Sequence, residues 1–128
     1  MLRAKVTSGT YTANTNIPLT LSQSTNSKAS LSNNTILLKT TGIKDIKANV
    51  VFTPTAAGTV TLSLYANGTA ISGAVYTETV ADSGTATFII NDAVKVVNNL
   101  SGDVANISLQ LNAAGTLVDG AVIVEHLS

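Results

Sequence analysis

Gly58-Thr59-Val60-Thr61-Leu62-Ser63-Leu64-Tyr65-Ala66-Asn67-Gly68-Thr69-Ala70-Ile71 is the stretch whose reading decides the fold class. From Thr59 to Tyr65 the residues alternate strictly. Val60, Leu62 and Leu64 fall on one face, and Thr59, Thr61, Ser63 and Tyr65 fall on the other. A period of two is that of a strand buried on one side. Asn67-Gly68 follows at once. That dipeptide suits a two-residue type I′ hairpin turn, where both central residues need positive φ. Thr69-Ala70-Ile71 begins the return strand, Ser72-Gly73 interrupts it, and Ala74 to Val80 continues it.

The same pattern extends in both directions. Strands are expected at Leu2 to Val6, Ile17 to Leu21, Thr35 to Lys39, Ile46 to Phe52, Thr85 to Ile90, Val94 to Val97, Val104 to Leu111 and about Ala121 to Leu127. Pro18 and Pro54 cannot donate to a ladder, so the first belongs to an edge and the second to a strand end. Turn residues recur every 8–12 positions, the spacing of an all-β sandwich or barrel. The expected fold is therefore an all-β, antiparallel two-sheet sandwich of eight to ten strands. Its core is expected to include Phe52, Leu62, Leu64, Phe88, Ile107, Leu109 and Leu111. Residues 22–34, rich in Ser, Thr and Asn, read as a polar surface loop. The final strand carries Val122, Ile123 and Val124 in succession, apolar on both faces. A strand covered on both sides reads this way, so one side is expected to meet a second subunit.

Composition narrows the function classes. The 128 residues are one domain's worth of chain. Hydrophobic residues make up 45% and charged residues 11%, with seven basic and seven acidic side chains. A neutral chain lacks the cationic surplus that nucleic-acid binding needs. It is also too apolar for a disordered one. The absence of cysteine excludes disulfides and thiolate chemistry. Met1 to Thr7 has no apolar signal core, and no apolar run approaches a membrane span, so neither a leader nor a membrane partner is expected. A small domain this poor in charge is expected to cover part of its surface by self-association.

Gly42 to Thr53, Ala57 to Ala74 and Val118 to Leu127 are the three stretches that resemble a known family, the trimeric C1q/tumour-necrosis-factor-like jelly-roll domains of phage and Firmicutes surface and virion proteins. Gly42 to Thr53 is similar to the family's glycine-led strand ending in apolar-x-Phe. Ala57 to Ala74 is similar to its G-x-V-x-L-x-L-Y-x-N-G-x-x-I-x-G-A hairpin, and Val118 to Leu127 to its terminal interface strand. Two features depart from the pattern. Lys44 or its neighbours stand where the family often has tyrosine, and the cysteine pair some relatives carry near Val96-Val97-Asn98 is missing. The resemblance implies a jelly roll over residues 35–128; residues 1–34, from their polar and irregular character, are expected to be an N-terminal strand and polar attachment segment packed on or extending from that domain. It further implies a homotrimer serving as a virion structural module on the capsid exterior, a head decoration or head fibre. Its partners would be its own copies and a major capsid protein or other virion component, with no cofactor. Val122, Ile123, Val124, His126 and Leu127 are the expected trimer contact. The alternative is a receptor- or glycan-binding tip of a phage fibre or of a bacterial or spore surface protein.

Little in the chain suggests catalysis. His126 is the only histidine, and its neighbour Glu125 points to the other face of a strand. The acids are scattered, mostly beside Gly, Ser or Asn, where local turns account for them. Calcium would need six to eight oxygens, and only separate loops or subunits could gather them. No G-x-S-x-G elbow supports a hydrolase. The N-x-[ST] sequons at Asn33, Asn67, Asn99 and Asn106 read as chance in an Asn/Thr-rich chain. Tyr11, Tyr65 and Tyr76 could stack on sugars, but residues so far apart are expected to serve packing.

Overall fold

A computed structural model describes residues 1–24, 29–39, 41–96 and 105–126, with the side chains of Val96 and His126 excepted. The described residues form eleven strands: β1 (Leu2–Val6), β2 (Gly9–Tyr11), β3 (Leu19–Ser24), β4 (Ala29–Ser32), β5 (Thr35–Leu38), β6 (Gly42–Pro54), β7 (Gly58–Ala66), β8 (Thr69–Val80), β9 (Ala86–Val96), β10 (Ala105–Leu111) and β11 (Gly115–His126). They pair antiparallel in two sheets. The first has the order β3-β1-β11-β6-β9, with β2 also on β11; the second has the order β4-β5-β10-β7-β8. From β5 onward the chain crosses repeatedly between the sheets, so sequence neighbours such as β10 and β11 lie in different layers.

Alternation builds the core. Ile46, Ala48, Val50 and Phe52 of β6, Phe88 and Ile90 of β9, and Val122 and Val124 of β11 point inward from the first sheet. Val60, Leu62 and Leu64 of β7 and Ile107, Leu109 and Leu111 of β10 meet them from the second. Phe52 packs edge-on against Tyr11, ring centroids 5.9 Å apart. The Tyr11 hydroxyl donates to the Thr15 carbonyl and accepts from Leu111 N–H at 2.9 Å, tying β2 to β10 across the core. Lys44 continues the inward phase of β6 one step further and is only 2% exposed, in the stretch where the resemblance gives an aromatic residue to Lys44 or its neighbours.

Several elements differ from expectation. The boundary at 34/35 falls inside the β4–β5 hairpin, where Ser32 pairs with Thr35. β1 lies between β3 and β11, with Leu2, Ala4 and Val6 fully buried, so the first 34 residues belong to both sheets. The polar stretch 22–34 contains the end of β3 and all of β4. Both are edge strands, which need only one set of ladder bonds and no continuous apolar face. The strands expected at 85–90 and 94–97 are one strand, β9, because β6 offers backbone partners from Gly42 to Phe52 along its whole length. Pro18 immediately precedes the edge strand β3, and Pro54 closes β6. Asn67 and Gly68 have φ of 53° and 80°, the two left-handed residues of the β7–β8 turn. Ser72-Gly73 lies where the register slips between Ser63↔Val75 and Tyr65↔Ala70, a bulge rather than a strand end.

Candidate interaction surface

The outer face of the first sheet is built in rows, because residues paired across antiparallel strands project to the same side. One row runs Lys5, Ala121, Asn49, Ile89 from β1 to β9, and the next runs Arg3, Ile123, Lys47, Asn91. Beyond them lie Glu125, Asp45, Ala93 and then Ile43 with Lys95. The first two rows frame an open groove of about 290 Å³, lined by Lys47, Ala48, Asn49, Ile89, Ile90, Asn91, Ala121 and Ile123. The small side chain of Ala121 leaves the hollow. Ile89 stands at its β9 edge, 74% exposed, the most exposed of the large hydrophobic residues described.

The polar groups of this face are partly engaged. Asn49 Oδ1 accepts from Ala121 N–H at 2.9 Å, holding the rim beside the hollow. Lys47 Nζ lies 3.5 Å from Asp45 Oδ2. Arg3 donates to Ser22 Oγ at 3.1 Å. Arg3, Lys5, Lys47 and Lys95 supply positive charge, and Asp45, Asp119 and Glu125 negative charge. The outward side of the second sheet is different. Thr59, Thr61, Ser63 and Tyr65 of β7 align with Thr79, Thr77 and Val75 of β8 and with Gln110 and Ser108 of β10, and none of these carries a charge.

The residues expected at a subunit contact are divided by the structure. Val122 and Val124 are 0% and 3% exposed and point into the protomer's own core, so they cannot form the outer contact. Strand alternation persists through the apolar run and leaves only Ile123 of the three on the outer face, half-buried in the groove. The backbone of His126 pairs with Lys44; Leu127 lies outside the described residues. Phe52, Leu62, Leu64, Phe88, Ile107, Leu109 and Leu111 are all buried. Sequence reasoning missed Ile89. The signal was present: with Ala86, Phe88 and Ile90 inward, Ile89 must face out.

The groups weighed for chemistry are dispersed. Among the described residues no cluster of three or more His, Cys, Asp or Glu could hold a metal ion. Asp92 Oδ1 accepts from Ala93 N–H and Asp119 Oδ1 from Gly120 N–H, each at 2.8 Å, local contacts of the kind short acids make. Asn33 and Asn67 are left-handed turn residues, and Asn67 Oδ1 accepts from Asn106 N–H at 2.8 Å; Asn99 lies outside the described residues. Burial, and then the negative charge of Asp92, push the Tyr76 phenol above its ordinary value of 10.0. Among the described residues no helix is long and apolar enough to cross a membrane.

No protein-family model matches the chain, and no curated protein matches it in sequence. Solved structures do match in shape. The globular domain of zebrafish complement 1qA superposes with a TM-score of 0.75 at 7% identity, over 100% of this chain and 98% of that one. Murine APRIL gives 0.70 at 10% identity, over 97% and 98%. The PRD1 vertex protein P5 gives 0.61 at 17% identity, over 94% and 93%. Matches that span nearly the whole of both chains, on a pair of antiparallel sheets with no helix among the described residues, establish the architecture: the chain has the jelly-roll fold of C1q/tumour-necrosis-factor-like domains.

Proposed function

We propose that the protein is a homotrimeric structural component of a bacteriophage virion, a capsid decoration or head-fibre protein that acts by subunit packing rather than turnover. One observation carries the trimeric part: Ile89 and the groove occupy the same rows of the same face. A rotation about an axis parallel to the strands leaves each residue's height unchanged. The projecting Ile89 of one copy then meets the groove of the next, and a ring closes with every groove filled. A twofold axis across the strands reverses their direction and achieves this only if it passes through that row; among axes parallel to the strands, the threefold is taken from the resemblance of Gly42 to Thr53 and Ala57 to Ala74 to trimeric domains. Covering the face also suits a domain with 11% charged residues.

The virion assignment is supported by the likeness in fold to the PRD1 vertex protein and by the resemblance of Gly42 to Thr53 and Ala57 to Ala74 to phage domains. Contact with a major capsid protein is assigned to the polar edge strands β3 and β4. Light scattering on the purified chain tests the oligomer: three times the 13.0 kDa chain mass is expected at micromolar concentration, and a monomer overturns the proposal. Detection of the protein in purified particles tests the location.

A glycan-binding role is the second reading, favoured by the uncharged hydroxyl and amide face around Tyr65. Aromatic and neutral polar groups together suit sugars. Reproducible binding on a glycan array that Tyr65→Ala abolishes supports it, and an array without signal contradicts it.

A further inference from the structure

The outer face of the first sheet holds an electrostatic mismatch within one copy. Glu125 and Asp45 are direct cross-strand partners on the same side of the sheet. Like charges placed so are destabilising. Lys47, 3.5 Å from Asp45, compensates one of the two carboxylates. Glu125 is exposed and has no ion-pair partner among the described residues. The nearest cation on β1, Arg3, is one row away and donates to Ser22. Lys95 of the same copy lies two strands from Glu125 and one row further on, paired with Ile43. Among the described residues no ion pair joins the two within one copy.

The mismatch disappears when a second copy is added in the manner already described. This step rests on the trimeric reading. With heights preserved and Ile89 of one copy in the groove of the next, the incoming β9 lies over β11 and β6. Its Ala93 then sits at the height of the Glu125–Asp45 pair and its Lys95 one row beyond. The flexible four-carbon stem of lysine spans such an offset. We infer that Lys95 of each copy pairs with Glu125 of the next, so that a repulsive feature of the isolated chain becomes an attractive contact fixing the order and register of subunits. A buried cross-subunit pair of this kind contributes specificity by penalising any arrangement that leaves the acids unpaired.

Charge reversal tests this in the full chain. Lys95→Glu, Glu125→Lys and the double variant are compared with the wild type by light scattering across a dilution series, with thermal melting of the dissociated chain as a folding control. Each single change is expected to weaken the trimer about tenfold or more, and the double variant to recover to within about threefold of wild type. Melting of the dissociated chain is expected to stay unchanged in Lys95→Glu and to rise slightly in Glu125→Lys and the double variant, where a lysine replaces the acid opposite Asp45 within the same copy. A trimeric wild type whose double variant is as weak as the two single losses combined overturns the pairing and leaves the trimer standing. A monomeric wild type overturns the trimeric reading and the pairing with it.

Discussion

Replacing Ile89 by aspartate separates the stability of the fold from that of the assembly. Ile89 is 74% exposed on an edge strand, so its side chain contributes little to the core of one copy. The change is expected to cost the isolated domain no more than about 1 kcal/mol, the span of strand preferences. Assembly responds differently. Fully burying an isoleucine stabilises by about 1.5–3 kcal/mol, and roughly three quarters of that, about 1–2 kcal/mol, is still to be gained at Ile89. A closed ring of three gains it three times, about 3–6 kcal/mol, or a factor of about 100 to 10,000 in the association constant. A carboxylate pressed into an apolar groove adds a desolvation penalty. Ile89→Asp is therefore expected to be a well-folded monomer at concentrations where the parent is trimeric. Light scattering with parallel thermal melting checks both halves. An Ile89→Asp variant that assembles like the parent refutes the placement of Ile89 in the contact. One that melts as a badly damaged core refutes the claim that the residue is free in a single copy.

Three further outcomes follow from groups inside the protomer. Tyr11→Phe removes the acceptor of the buried Leu111 N–H and is expected to cost about 1–3 kcal/mol in denaturant unfolding without changing assembly. Gly120→Ala places a Cβ 2.4 Å from the Asn49 carbonyl oxygen at a φ of +153°, so a loss of about 1–3 kcal/mol or more is expected in the same assay. Tyr76 holds its proton more tightly in the folded state than in the unfolded one. Its contribution is thus intact below the ordinary phenol range and declines as pH rises through 10.0, where the unfolded chain ionises first. Tyr76→Phe is expected to lose less stability than the parent between neutral and strongly alkaline pH, and equal losses would contradict the shift.

The central hairpin was legible because Val60, Leu62 and Leu64 alternate without exception and Asn67-Gly68 names its own turn. Apolar runs were harder. Val122-Ile123-Val124 signals cover on two sides but not which residue takes which, and the phase is set by pairing of β11 with β1 and β6. Ile89-Ile90 poses the same problem, and there the outward residue is the one that matters for assembly. The inward Lys44 follows from extending the phase of Ile46, Ala48, Val50 and Phe52 back one step, against the ordinary preference of a charge for solvent. β4 left no signal, since an edge strand of Ala, Ser and Leu differs little in composition from a polar loop. The groove itself is a property of four strands in register, and no single segment contains it.

The absence of cysteine from the chain allows the contact to be tested by cross-linking. Ile89 and Ala121 both pair with Asn49 and so lie two strands apart within one copy. At about 4.8 Å per strand spacing, their separation exceeds the roughly 7 Å that a disulfide can bridge. A chain carrying Ile89→Cys and Ala121→Cys can therefore link only to another copy. Mild oxidation followed by denaturing, non-reducing electrophoresis is expected to give a band at three chain masses. A band that stops at two, or monomer alone, would contradict a cyclic ring closed through this face.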